Sequence, residues 1–375
     1  MKNFILKTIS AHDIKTELEK IGFDRSYQEA ASDKFQYKNL KIFDLNSAQA
    51  NIIKQTALSV GADCGTHKDV VSGKIEKSDV ILGGSFSQLK KIAKKLSVQP
   101  FGLNILAEEI ISELEPEQRT TKLAGILNVT PDSFSDGGMY YKPEEAIKHA
   151  YQLIDDGADI LDIGAESTRP FAEPVPFDIQ IERLKPVLNE LSNAEIPLSV
   201  DTRSSFVAEF AVKNGVKIIN DVSGLDYDPR IAEIAAKSGA TLILQHSKGT
   251  PENMQVSPEY DDVVEEIFFM LKNKVELAKY RGVENIILDV GIGFGKTREH
   301  NFELLNRIEE FYPLGYPIMV GLSRKSLLGI NSDDNDLKDA LSLAISYPLM
   351  QKSVDYLRVH NVKLHKQLLT HGFLK

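Results

Sequence analysis

Tryptophan is absent from this 375-residue chain and cysteine occurs once, at Cys64. A single cysteine excludes an intramolecular disulfide and any zinc site built on several thiolates. No segment reaches the ~18 consecutive apolar residues of a membrane span, and the N-terminal MKNFILKTISAHD has too short an apolar run for a signal peptide. These absences lead to the expectation of a cytoplasmic protein without membrane association. Basic residues are also in deficit. Lys and Arg number 44 against 54 Asp and Glu, giving a formal net charge of −10, and no long basic run occurs. Nucleic-acid binding is therefore not expected, because it needs a basic footprint. An acidic balance does not exclude phosphate ligands, since a few local donors suffice.

The remaining composition is that of an ordinary globular protein. Hydrophobic residues make up 42% and charged residues 26%, ample material for a core. The polar stretch Glu113–Lys122 marks a boundary, giving a small α/β domain over 1–118 and a larger domain over 119–375. In the first, Lys41–Leu45 and Val80–Leu82 read as strands. Ala48–Val60 and Ser87–Leu96 read as helices from apolar spacings of three and four. No chemical motif is visible there.

Beyond the boundary, apolar β-branched runs recur at Leu123–Val129, Ile160–Ile163, Leu198–Val200, Val216–Ile219, Thr241–Leu244, Asn285–Leu288, Pro317–Val320 and Tyr356–Val359. Helical patterns such as Glu144–Ile154 and Val263–Ala278 lie between them. Eight strands alternating with helices over about 250 residues is the pattern of a (β/α)8 TIM barrel, although doubly wound sheets share the alternation. Each run leads into polar residues: Asn128, Asp162, Asp201, Asn220–Asp221, Gln245–His246, Asp289, then Ser323-Arg324-Lys325, and finally Arg358 and His360. One aspartate at a strand end is commonly a cap. Eight such ends on one barrel rim point to a shared site.

The inventory has chemical logic. Asp201, Asn220 and Asp289 supply acceptors that can read a flat heterocycle presenting adjacent N–H donors. Lys325, Arg358 and His360 supply donors and positive charge for a carbonyl and for phosphate. Asn128 is a neutral oxygen ligand that can share a hard cation with phosphate. The segment Gly291-Ile292-Gly293-Phe294-Gly295-Lys296-Thr297 superficially suggests a phosphate loop. Val290 and Lys296 stand where the nucleotide-binding patterns require glycine, so it is expected to be a turn whose backbone packs closely against a ligand.

Two long motifs then carry a specific likeness. Gly125–Gly138, GILNVTPDSFSDGG, and Gly157–Pro170, GADILDIGAESTRP, resemble the two signatures of dihydropteroate synthases. Ser199-Val200-Asp201-Thr202, Ile219-Asn220-Asp221, Gly293-Phe294-Gly295-Lys296, Ser323-Arg324-Lys325-Ser326 and Arg358-Val359-His360 follow in the family order. The resemblance covers about residues 121–375. It implies condensation of 6-hydroxymethyl-7,8-dihydropterin pyrophosphate with p-aminobenzoate, with Mg2+ as cofactor and a homodimer as the assembly.

Residue by residue, the resemblance assigns the pterin to Asp201, Asn220, Asp289 and Lys325, and pyrophosphate to Asn128, Arg358 and His360. Mg2+ falls to Asn128, and p-aminobenzoate to Thr168, Pro170 and Ser326. Asp162, Lys325 and Asp201 are the residues assigned catalytic roles, with Asp162 expected to orient the loop Val129–Gly138. Departures from the family pattern occur at Phe171, Gln245, Ser247, Val290 and Asn361, none at a residue given a role. The competing possibilities are a pterin-dependent methyltransferase and a non-catalytic pterin-binding module.

Overall fold

The computed structural model describes residues 5–10, 14–114, 119–130, 142–166, 174–249, 258–330, 332 and 334–371. It divides the chain into two compact units, residues 1–117 and 118–375. The smaller unit contains a three-stranded antiparallel sheet, ordered β1 (Tyr37–Asn46), β3 (Lys77–Ser85), β2 (Asp63–Thr66). The sheet supports helices Ser47–Leu58, Phe86–Leu96 and Leu103–Leu114. Asn46 and Ser85 close their strands and start the following helices. Each side chain accepts from the backbone N–H three residues on, and Gln49 and Gln88 reciprocate, forming two capping boxes. A separate core of Ile53, Val80, Leu82, Leu89, Ile92, Leu96 and Ile110 fills this unit. The sequence pattern anticipated both longer strands and the first two of these helices. It missed β2, which is only four residues long and carries little hydrophobic signal.

The larger unit is a closed barrel of eight parallel strands: β4 (Lys122–Asn128), β5 (Ile160–Gly164), β6 (Leu198–Asp201), β7 (Ile218–Asp221), β8 (Thr241–Gln245), β9 (Ile286–Asp289), β10 (Ile318–Val320) and β11 (Tyr356–Val359). All eight coincide with the runs expected from sequence. Helices cover the outside, so residues such as Leu161, Val200, Ile219, Leu242, Leu288 and Leu357 pack outward into the main core. The strands consequently read as nearly continuous apolar runs, as in sheets buried on both faces.

The interior is layered. Ala124, Ile160, Ile218, Ile243, Ile287 and Met319 form an apolar plug, with Tyr356 against it. Side chains on one strand face the same way at every second residue. Two residues beyond the plug, on the same face, stand Asp162, Asn220, Gln245, Asp289 and Arg358. The apolar plug closes the barrel from below and leaves a polar layer at the C-terminal ends of the strands, where barrel enzymes carry their sites.

Candidate active site

Arg358 is the hub of this layer. Its Nε donates to Asp162 Oδ2 at 2.5 Å and its Nη2 to Asp201 Oδ2 at 2.6 Å. The guanidinium thus spans β5 and β6 from β11. Asp162 also accepts from Ser199 Oγ at 2.6 Å and from Asn220 Nδ2 at 3.0 Å. Both of its oxygens are engaged within the barrel. Among the described residues Asp162 orients Arg358 and Asn220. The loop it was expected to orient lies, from 131 to 138, outside the described residues. Arg358 engages two carboxylates in addition to the phosphate role expected of it.

Two acceptors beside this network are left open. Asp201 Oδ1 and Asn220 Oδ1 are buried and have no hydrogen-bond partner among the described residues. Such atoms are costly unless a ligand or water satisfies them. Burial, opposed chiefly by Arg358, pushes the Asp201 carboxyl up to about 7. Asp289 is also raised by burial, with Lys325 opposing, and its Oδ1 accepts from Gly291 N at 2.7 Å.

Lys325 approaches from the loop after β10. Its Nζ donates to Ile292 O at 2.6 Å and lies 4.5 Å from the Phe294 ring centre. Burial lowers it to about 8, with Asp289 holding it up. The backbone just before it is strained: Arg324 has φ 57°, a left-handed conformation costly for a residue with a side chain. Arg324 is anchored by two bonds to the buried carboxylate of Asp339, at 2.6 and 2.8 Å, and Asn361 Nδ2 donates to the same carboxylate at 3.0 Å. These contacts aim the neighbouring Lys325. Sequence reasoning missed Asp339, which lies on a helix with no motif around it.

His360 follows β11, and its Nδ1 lies 3.0 Å from Ser323 Oγ. Asn128 ends β4, where its Oδ1 would stand 3.5 Å from a Cβ placed on Gly164. Ser326 is exposed and opens the short 3-10 turn Ser326–Leu328 directly after Lys325. Thr168 and Pro170, together with Phe171, lie outside the described residues.

The glycine-rich segment forms the expected turn after β9. Gly291 has φ +68°, and a Cβ there would stand 1.8 Å from the His246 carbonyl oxygen. At Gly295, φ +63°, it would stand 2.4 Å from the Lys248 carbonyl oxygen. These glycines permit close packing on the protein's own backbone after β8.

Comparison with known proteins agrees with this geometry. The family described as pterin binding enzyme matches residues 124–360. A Helicobacter pylori protein named bifunctional dihydropteroate synthase/dihydropteroate reductase is 33% identical over 97% of this chain and 97% of its own length. The chain belongs to the dihydropteroate synthase family. A solved dihydropteroate synthase from Xanthomonas albilineans, with 4-aminobenzoic acid, is 37% identical with a TM-score of 0.62, covering 67% of this chain and 91% of that one. The chain also matches a Haloferax volcanii protein named as a probable bifunctional folylpolyglutamate synthase/dihydropteroate synthase. Identity there is 36% over 84% of this chain, which spans 40% of that relative's length. No helix among the described residues is long and apolar enough to cross a membrane.

Proposed function

We propose that the chain is a dihydropteroate synthase, joining 6-hydroxymethyl-7,8-dihydropterin pyrophosphate to p-aminobenzoate to give 7,8-dihydropteroate and pyrophosphate. The observation that carries this is the pair of open buried acceptors, Asp201 Oδ1 and Asn220 Oδ1, beside Asp289 and Lys325. A pterin ring presents adjacent N–H donors to the carboxylates and amide, and a carbonyl to the lysine. Asn128, Arg358 and His360 receive the pyrophosphate, and Thr168, Pro170 and Ser326 receive p-aminobenzoate.

The reaction is a substitution at the pterin methylene. The C–O bond breaks with its electron pair leaving on pyrophosphate, and the methylene carbon becomes cationic. The p-aminobenzoate nitrogen then forms the C–N bond and loses a proton to solvent. Asp201 and Asp289, when ionised, favour the transient cation, while Arg358 and His360 offset charge growing on the leaving group. Among the described residues no group of three or more His, Cys, Asp or Glu could hold a metal. Asn128 would hold Mg2+ together with phosphate oxygens of the substrate. When bound, it would supply Lewis-acid neutralisation of the leaving group.

A pyrophosphate-release assay with both substrates tests the assignment. Release dependent on p-aminobenzoate supports it. Pterin binding without release would instead favour the non-catalytic module. Methyl transfer from a methylated pterin without release would favour the methyltransferase. The near-complete match to the Helicobacter pylori relative also favours a second activity, reduction of the product pterin. Consumption of a reduced cofactor that depends on added dihydropteroate tests it. On the same family basis we assign a cytoplasmic homodimer, with residues 1–118 in a structural or dimer-supporting role. Sedimentation of the whole chain checks the assembly.

A further inference from the structure

In the turn after β9, beside the proposed pterin site, sits a buried lysine that the chemistry above does not use. Lys296 is 3% exposed. Its Nζ lies 2.7 Å from Gly291 O, 2.9 Å from Phe294 O and 2.8 Å from His246 Nδ1. Burial lowers the Lys296 amine well below its ordinary value, with Asp289 opposing, while two carbonyl acceptors and the His246 ring nitrogen converge on it, matching the three hydrogens of an ammonium. The two carbonyls belong to the turn that follows Asp289. Its Gly291 N–H orients the Asp289 carboxylate, its Ile292 carbonyl receives Lys325, and its Phe294 ring lies under the Lys325 ammonium.

We infer that Lys296 is a positioning residue for the reaction: as an ammonium anchored on neutral His246, it sets the turn that places both Asp289 and Lys325 against the pterin. The inference rests on the synthase assignment. The turn is short and glycine-rich, so its shape depends on such ties. Asn301 Oδ1 adds one more, accepting from Gly293 N at 2.7 Å. As an ammonium, Lys296 donates to Nδ1, which puts the imidazole proton on Nε2. That atom is buried without a partner among the described residues. Burial and then Lys296, with Lys274 and Lys248 behind it, hold His246 well below its ordinary value, so it stays neutral.

The charge also matters. The Asp289 carboxylate faces Lys325 from the loop after β10, Arg358 from β11 and Lys296 from its own turn, all three cationic groups that lower it against burial. Neutral His246 stands at the end of β8. Removing the Lys296 cation raises Asp289 further, so a pterin that needs the ionised carboxylate loses affinity at a higher pH.

Lys296→Met tests this in the full chain. The expected result is a KM for the pterin pyrophosphate about tenfold higher or more, with the p-aminobenzoate KM changed less than twofold. Binding of the unphosphorylated pterin should show its acidic limb displaced to higher pH. A merely structural role would lower the active fraction and leave both the KM values and the limb unchanged, and that outcome overturns the proposal. If the variant does not fold, the wild-type protein decides. With 15N-labelled histidine, the His246 ring should be the neutral Nε2–H tautomer throughout pH 5.5–8, with Nδ1 accepting. An Nδ1–H tautomer, or titration near the ordinary histidine value, overturns it. Loss of pterin binding in the wild type would instead count against the synthase assignment and leave the tautomer result standing.

Discussion

Replacing Arg358 with methionine removes one cation from between two buried carboxylates while keeping most of the side-chain volume. Asp162 is 1% exposed and Asp201 7% exposed, so neither gains hydration in exchange. Breaking a buried pair by deleting one partner costs about 3–5 kcal/mol. The cost should depend on pH. Asp201 sits at about 7 in the folded protein against 3.8 in the unfolded chain. A raised carboxyl favours the folded state at low pH, and that contribution is lost as pH rises through the folded value. Arg358 is the main influence lowering Asp201, so in Arg358→Met the window extends upward from about 7. Each further unit adds about 1.4 kcal/mol to the loss above the new value. The variant should therefore be destabilised more at pH 8 than at pH 5, by about 1–1.5 kcal/mol for a one-unit rise. Urea titrations of the barrel transition followed by far-UV circular dichroism measure this; the absence of tryptophan makes fluorescence a poor probe. Equal losses at the two pH values, or a loss below about 1 kcal/mol at pH 8, would refute the reasoning.

Lys325→Ala should lower kcat/KM by about 100-fold or more, taking a charged contact as about 3 kcal/mol, and near wild-type turnover would remove it from the site. In the wild-type enzyme the depressed Lys325, at about 8, should make pterin binding fall as pH rises through that value, measured by calorimetry across pH 6–9. His360→Ala should weaken pyrophosphate binding much more than binding of the unphosphorylated pterin; equal losses would show that it does not face the leaving group. Asp339→Ala leaves the Arg324 guanidinium without its buried carboxylate and should destabilise the barrel by about 3 kcal/mol, with an unchanged melting transition as the contrary result. A fragment beginning at Arg119 contains the closed barrel and its own core, and it should retain pyrophosphate release if soluble.

Sequence alone determined the architecture and the identity of the polar rim. The eight apolar runs were legible because strands buried on both faces need β-branched residues in series. Asp162, Asn220, Asp289 and Arg358 were legible because each interrupts such a run. The long motifs Gly125–Gly138 and Gly157–Pro170 supplied the family. Tertiary structure decided which of these groups meet. Arg358 lies 196 residues after Asp162 in the chain, and only barrel closure brings β11 round toward β5 and β6. The engagement of Asp162 and Asp201 by Arg358 depends on that closure, while the contacts of Asp162 with Ser199 and Asn220 and of Arg324 with Asp339 depend on the packing of neighbouring elements. Lys296 shows the same limit. In the sequence it ends a glycine-rich turn that suggests phosphate binding; in the fold its ammonium is buried against His246, 50 positions earlier. Periodicity reports which face of a strand or helix is covered, because burial repeats with the backbone geometry. It carries no information about which charged partners share a desolvated space, since that depends on distances between strands remote in the chain.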